Sequence, residues 1–373
     1  MASINHFLDS VKESIKTHND GNPIVIVTGN DSADLDSIAA ALLFSYISSQ
    51  SSNNTLYIPL VKVPLADLEL RPEVGFVLES VGVDYKKLIC IDHIDLEALY
   101  HANARVVLVD HNRLTLPFDE TKWNDRVDGV LDHHVDEGQY TDIPLRIVTM
   151  VGSCTSLVVL QFPDAFQHGN DKTALCQLAV GPILVDTIGL RWEFGKTTDT
   201  DVKAYDIVKP SASDALTYDA IEQVKGRVQH LCTRDLLRKD YKEWIVDGYR
   251  VGTSSLPWNF HGWFDRDGAK DIVDKTQTYM DERQLDMEII MTGYNGEDGQ
   301  YKRELALFVS HSALLLVKAT LEGNDDVGLE LLNLIHAQSS SGVAFYSQGN
   351  VKMSRKQIWP LVQSIIEEKI EAK

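Results

Sequence analysis

The sequence predicts an α/β protein: a doubly wound domain on a parallel sheet, followed by a smaller α/β domain with a mixed sheet. Two observations carry that expectation. Short β-branched runs alternate with helical stretches through the first half, as βαβ units require. The alternation then resumes on a smaller scale after a polar stretch that ends near residue 229. A third feature gives the fold a purpose, because several apolar runs end in an acid or a histidine. Ile24-Val25-Ile26-Val27 leads to Asp34-Leu35-Asp36-Ser37, and Val106-Val107-Leu108-Val109 to Asp110. Val130-Leu131 leads to Asp132-His133-His134, and Ile183-Leu184-Val185 to Asp186.

Taken in order, Ser37–Ile47 reads as a helix rich in alanine and leucine and apolar on most sides. Strands are expected at Tyr57–Val63, Leu88–Ile91, Arg105–Val109, Gly129–Leu131 and Leu145–Val148. Gly152-Ser153-Cys154-Thr155-Ser156 reads as a loop entering a helix, with Ser153 or Thr155 as its cap. From Pro210 to Gln229 the chain is polar and helical, which divides it into domains 1–228 and 229–373. The second domain is expected to hold strands Tyr249–Ser254, Met287–Thr292 and Leu305–Val309, and helices Lys270–Glu282 and Leu329–Ala337. An active site is expected in the cleft between the domains. Neither an internal repeat nor a low-complexity tract is visible.

At 373 residues the chain has room for two cores, and its 44% apolar and 24% charged content is ordinary for a globular protein. No apolar run approaches the roughly eighteen residues of a membrane helix, so no membrane partner is expected. The N-terminal stretch carries Asp9, Glu13 and Asp20 and lacks the character of a signal or transit peptide, which makes the cytoplasm the expected location. Four scattered cysteines without a CxxC pair argue against a zinc knuckle or a disulfide framework. A net charge of −20 argues against nucleic acid as a partner, although bound cations can reverse the field inside a cleft. A monomer is expected.

Strand ends in an open parallel sheet meet at one crevice. The four acidic ends above would pool carboxylates and imidazoles there, and divalent cations are the simplest remedy for their repulsion. Each signal alone has a bland explanation. Asp36 or Ser37 is a plausible helix cap, Asp110 a strand-end turn, and His133-His134 a surface pair. Asp186, inside an apolar stretch, is harder to dismiss, because a buried carboxylate needs a partner or a metal. Together they describe a two-metal site, and oxygen-rich ligation favours Mg2+ or Mn2+ over Zn2+, with Co2+ also feasible.

The chain resembles the DHH phosphoesterase superfamily. Asp132-His133-His134 is the naming motif, Gly29-Asn30-Asp31-Ser32-Ala33-Asp34-Leu35-Asp36-Ser37 matches the first motif, and Val109-Asp110-His111-Asn112 the second. Ser354-Arg355-Lys356-Gln357 and Asp240-Tyr241-Lys242 are similar to the basic segments of the branch shared by type II inorganic pyrophosphatases and fungal exopolyphosphatases. Asn30, where pyrophosphatases have histidine, and Arg146-Ile147-Val148 followed by Gly152-Ser153-Cys154 fit the exopolyphosphatase form. Prune-like relatives usually differ at the position of His134.

The resemblance implies that Asp34 and Asp110 hold one cation, and Asp36, Asp110, His133 and Asp186 the other. Asp110 would bridge the pair, and His134 would contact the reacting phosphate as general acid. Lys242, Arg355 and Lys356 would hold phosphate groups. Asn30 would be a weak ligand or bond to a metal-bound water. Apart from the resemblance, Arg146, Arg191 and Lys196 are candidates to flank the path of a longer chain, surface salt bridging being the commoner role for such residues. For His111 and His311 a packed or hydrogen-bonded role is expected.

The implied activity is metal-dependent release of orthophosphate from the ends of inorganic polyphosphate. Alternatives are an inorganic pyrophosphatase, a prune-like nucleotide phosphodiesterase, or a regulatory protein that binds phosphate ligands without catalysis.

Overall fold

Six parallel strands build the first sheet: β1 (Ile24–Thr28), β2 (Leu56–Val61), β3 (Ile89–Cys90), β4 (Arg105–Val109), β5 (Val127–Asp132) and β6 (Leu145–Val148). They come from a computed structural model that describes residues 2–17, 21–52, 54–334 and 342–373. The spatial order is β3-β2-β1-β4-β5-β6, so the winding reverses between β1 and β4. A sheet covered on both faces needs apolar side chains on both, and Ile24, Ile26, Val27, Val106, Leu108 and Val130 are all buried. The Leu35–Ser51 helix is buried continuously from Leu35 to Ser48. Its Ala39-Ala40-Ala41 run and apolar surround suit a helix with no solvent face.

The run Ile183-Leu184-Val185 is not a strand. It closes the Lys172–Asp186 helix, so Asp186 sits on a helical last turn. The local β-branched signal misleads because the apolar stretch begins upstream with good helix formers, Ala174, Leu175, Gln177 and Leu178. The expected strand at Leu88–Ile91 is only Ile89–Cys90, with Ile91–His93 turning as a 3-10 helix.

The chain divides into units Met1–Lys225 and Gly226–Lys373. In the second, β7 (Tyr241–Val246), β8 (Tyr249–Leu256), β9 (Met287–Thr292), β10 (Tyr294–Asn295), β11 (Tyr301–Val309), β12 (Leu329–Leu331) and β13 (Val343–Gln348) form a mixed sheet. The order is β12-β13-β11-β9-β8-β7 with β10 beside β11, and β8 and β9 are its parallel neighbours. Leu329–Leu331 is thus an edge strand rather than the start of a helix, since Leu-Glu-Leu alternates with period two and pairs with β13. Residues 335–337 of the expected helix lie outside the described residues. The Ala269–Arg283 and Arg355–Lys369 helices belong to this unit, whose core includes Val251, Ile289, Leu305, Leu307, Ile358 and Val362.

One acid inside that unit is unusual. Glu288 on β9 is fully buried, accepts a hydrogen bond from Ser254 at 2.6 Å, and leaves its Oε2 without a partner. Burial pushes its carboxyl up to about 8 from an ordinary 4.5, despite the opposing Ser254 bond and the Arg283 charge. An acid raised in this way leaves stability intact below its unfolded value and erodes it as pH climbs towards the folded one. Glu288→Gln should therefore raise the melting temperature at pH 8 but leave it unchanged at pH 4. Melting curves of the two proteins across that interval check the sign.

Candidate metal centre and anion-binding residues

The reversal between β1 and β4 opens a crevice at the carboxyl ends of those strands. Asp110 ends β4 in a left-handed turn with φ of 61°. An L-residue tolerates that conformation at a cost of about 1 kcal/mol, and the turn is fixed by its N–H donating to the Leu131 carbonyl at 2.9 Å. The carboxylate is then clamped. Asn30 Nδ2 and Ser37 Oγ donate to its Oδ2 at 2.7 and 2.6 Å, and His133 Nε2 lies 3.0 Å from its Oδ1. Gly29 permits this, because a Cβ there would stand 2.5 Å from that of Ser37.

His133 and His134 leave β5 side by side but face different partners. His133 Nδ1 donates to the Val151 carbonyl at 3.0 Å, which directs Nε2 to Asp110. His134 Nδ1 meets Asp132 Oδ1 at 2.8 Å, and the buried Asp132 is held in turn by Asn112. Asp110, His133 and His134 present ligand atoms within 4.8 Å of one another.

Asp34 caps the Leu35–Ser51 helix by accepting from Ser37 N at 3.0 Å, so the cap is Asp34 rather than Asp36 or Ser37. Asp36 points across to the Cys154–Gln161 helix. It accepts from Ser153 Oγ, Cys154 N, Thr155 N and Thr155 Oγ1 at 2.6–2.9 Å. Ser153 stands at that helix's N-cap position, yet its hydroxyl serves Asp36 instead of the helix.

Charge ties the cluster together. Burial, with the charges of Asp36, Asp34 and Asp110, pushes the Asp186 carboxyl well above its ordinary range, and His133 only partly offsets them. Burial depresses His133, but the bond to Asp110 and the charges of Asp110, Asp36 and Asp186 raise it to about 10. Burial also lifts Asp110, and there the His133 bond and the two imidazoles outweigh it, leaving the group lowered. Asp132 is likewise lifted by burial and carried down to about 2 by His134 and Asn112. A bound cation fits this donor set. It would replace the proton on His133 Nε2 and the missing counter-charge of Asp186.

Residues 24–181 match the N-terminal domain of the DHH family, and residues 219–365 match the DHHA2 domain. The chain belongs to the DHH family. It is 28% identical to mouse "Exopolyphosphatase PRUNE1" over 93% of this chain and 76% of the relative. It is also 28% identical to a Schizosaccharomyces pombe protein with a provisional exopolyphosphatase name, over 98% of each. Among solved structures, a Methanococcus jannaschii protein provisionally described as a family II inorganic pyrophosphatase aligns with a TM-score of 0.58 at 20% identity. That alignment covers 91% of this chain and 98% of the other, a likeness of fold.

In the DHHA2 unit Arg355 is anchored at the start of β7. Arg355 Nη2 bonds Asp240 Oδ1 at 2.6 Å and Nη1 the Asp240 carbonyl at 3.0 Å, which fastens it beside Lys242 on β7. Trp244 stacks on Trp359 at 4.0 Å between centroids, joining the same strand to the same helix. Ser354 opens that helix in a capping box with Gln357, and Lys356 is exposed on its first turn.

Arg146 lies on β6 and stays local, bonded to Asp136 at 2.5 Å and the Gln139 carbonyl at 3.0 Å. Arg191 packs over the Tyr218 ring with Asp219 at 3.5 Å. Lys196 lies just before the Asp199–Val208 helix, and its backbone carbonyl closes on Gly152. His111 is packed, its Nδ1 on the Val109 carbonyl, and burial with the Lys62 charge pushes it down to about 3. His311 starts a 3-10 turn by accepting from Ala313 N.

Sequence reading missed the supports. Asp201 bonds Gly152 N, Ser153 N and Ser156 Oγ, bracing the turn that serves Asp36. A Cβ on Gly152 would lie 2.6 Å from the Lys196 carbonyl, so the close approach requires glycine. Ser37 reads only as a possible helix cap and Asn112 stands inside the second motif without an assigned role, while Asp201, nine residues before Pro210, lies outside every motif.

Asp186→Asn removes a carboxyl that its neighbours oppose. In metal-free buffer at pH 8 it should raise the melting temperature, by roughly 2–4 °C for each kcal/mol relieved. The same substitution should abolish any further rise on adding Mn2+. Differential scanning calorimetry with and without Mn2+ reads both effects.

Proposed function

We propose that this protein is a metal-dependent exopolyphosphatase that hydrolyses the terminal phosphoanhydride bond of inorganic polyphosphate and releases orthophosphate. The observation that carries the reading is the Asp110–His133–His134 group at the sheet's reversal point, with acids around it that need cationic charge. The exopolyphosphatase names of the mouse and S. pombe relatives support the substrate class.

Asp34 and Asp110 would hold one divalent cation, and Asp36, Asp110, His133 and Asp186 a second, Mg2+ or Mn2+ by the hardness of the donors. Such cations, when bound, activate water and screen phosphate oxygens. The chain's own groups do the rest. Asn30 acts as a donor that fixes Asp110, which suits a positioning role rather than ligation. His134 is oriented by the Asp132 carboxylate, leaving Nε2 to carry a proton to the departing phosphate oxygen. The Asp132–His134 arrangement keeps the imidazole in one tautomer, as an acid does in hydrolytic triads. Lys242, Arg355 and Lys356 contribute to holding the anionic chain, with Arg355 and Lys356 on the first turn of a helix, where an anion is favoured. Four free cysteines, three of them buried, suit a reducing compartment such as the cytosol.

The deciding experiment measures orthophosphate release from pyrophosphate, tripolyphosphate, long polyphosphate and a cyclic nucleotide, each with Mg2+, Mn2+ or Co2+. Long polyphosphate should be the best substrate, and chelation should stop turnover. His134→Asn should lower kcat by about 10²–10⁴-fold with a smaller effect on KM, and Asp110→Asn should remove activity while the protein stays folded. Preference for pyrophosphate would make it a pyrophosphatase, and full activity in the Asp110 variant would end the metal-centre reading.

A further inference from the structure

Lys62 immediately follows β2, the strand beside β1, and its side chain is only 2% exposed. Its ammonium donates to Asp31 Oδ1 at 2.9 Å and Thr115 Oγ1 at 2.6 Å, and meets His111 Nε2 at 3.3 Å. Thr115 donates to the same Asp31 oxygen at 2.6 Å, which closes a triangle. The His111 Nδ1–H is committed to the Val109 carbonyl, so Nε2 is the acceptor for Lys62.

These partners come from two particular loops. Asp31 lies between Asn30 and Asp34 on the turn after β1, while His111 and Thr115 follow Asp110 on the turn after β4. The two turns flank the reversal of the sheet, and both carry carboxylates that repel across it. An enclosed ammonium can reach neither solvent nor a phosphate chain. Burying one is expensive unless it is paired, so Lys62 needs these bonds as much as the loops need it.

We infer that Lys62 is a positioning residue for the metal centre, holding the Asp31–Asp34 turn against the Asp110–Thr115 turn so that the two sets of carboxylates converge. This rests on the metal-centre reading proposed above. The fixed cation opposes the repulsion between the turns before any divalent ion arrives, and a preorganised set of ligands binds more tightly than one that must be assembled. Asn30 and Ser37, on the same segment after β1 as Asp31, bond Asp110 itself, so Lys62 and these two donors tie the same pair of turns at different points.

The test is Mn2+ binding to the full-length protein, followed by calorimetry or by electron paramagnetic resonance of free Mn2+. Lys62→Met keeps the length of the side chain and removes its charge. Its Mn2+ affinity should fall by about 10–100-fold, the range seen when supports of metal ligands are removed, with the number of sites unchanged. A Lys62→Met/Asp31→Asn double variant separates positioning from simple neutralisation. It should recover the melting temperature, because no unpaired acid remains, without recovering Mn2+ affinity.

Wild-type affinity in Lys62→Met, or full recovery of affinity in the double variant, overturns the inference. If Lys62→Met does not fold, Thr115→Val cuts one arm of the triangle and should weaken Mn2+ binding; unchanged binding there overturns it equally. A wild-type protein that binds no Mn2+ overturns the metal-centre reading itself, a result distinct from normal wild-type binding with an indifferent Lys62.

Discussion

Repulsion among carboxylates at one point of the sheet is the constraint that organises the first unit. Asp34, Asp36 and Asp110 all act on Asp186, and burial denies that group the water that would soften the effect. A chain that gathers acids in this way has given up folding stability to do so, because each must be desolvated against the others. The surrounding structure limits the loss. Asp110 takes Asn30 and Ser37 on one oxygen and the His133 imidazole on the other, while Asp36 accepts from four donors. Asp186 has no comparable support, sits on a helical last turn where the dipole also opposes negative charge, and is the group left wanting a cation.

The supports are shared rather than duplicated. The start of the Cys154–Gln161 helix serves Asp36 with side-chain and backbone donors, and Asp201 braces the same turn from behind. Two acids at one helix start are tolerable because backbone N–H groups and the positive end of the helix face them. Cys154 closes the arrangement: its N–H bonds Asp36 while its Sγ accepts from the Asp110 N–H. A shift of that one residue would move Asp36 and Asp110 together. Burial and three nearby acids also raise that thiol well above the usual range.

Much of this was legible in the chain. The β-branched runs of β1, β4 and β5 and the acids after them identified the crevice because parallel strands announce themselves by composition and their ends must share an edge. Asp186 was recognised as an acid out of place, but its strand was a helix, because a three-residue apolar tail with two β-branched members says less than the helix formers upstream. Leu329–Leu331 failed in the opposite direction, where an apolar-polar alternation too short to weigh alone found its meaning only by pairing with β13. Asp201 and Lys62 were invisible for a different reason. The bonds by which they brace other loops reach 45–49 and 31–53 residues along the chain, and the local pairing of Asp201 with Thr198 marks only a helix start.

Nowhere is the dependence on partners clearer than in the histidine pair. His133 and His134 are chemically identical neighbours with ring centroids 4.5 Å apart, and only the family resemblance, not their own chemistry, separates their roles in the sequence. The structure separates them at Nδ1. A neutral carbonyl, that of Val151, takes the proton of one ring, leaving an Nε2 lone pair that a cation can use once it displaces the proton shared with Asp110. A carboxylate, Asp132, takes the other and fixes that ring's orientation and tautomer, which leaves its Nε2 free to face a substrate. Exchanging these two partners would exchange the proposed roles of the rings. The proposed division between ligand and acid therefore rests on Val151 and Asp132 as much as on the histidines themselves.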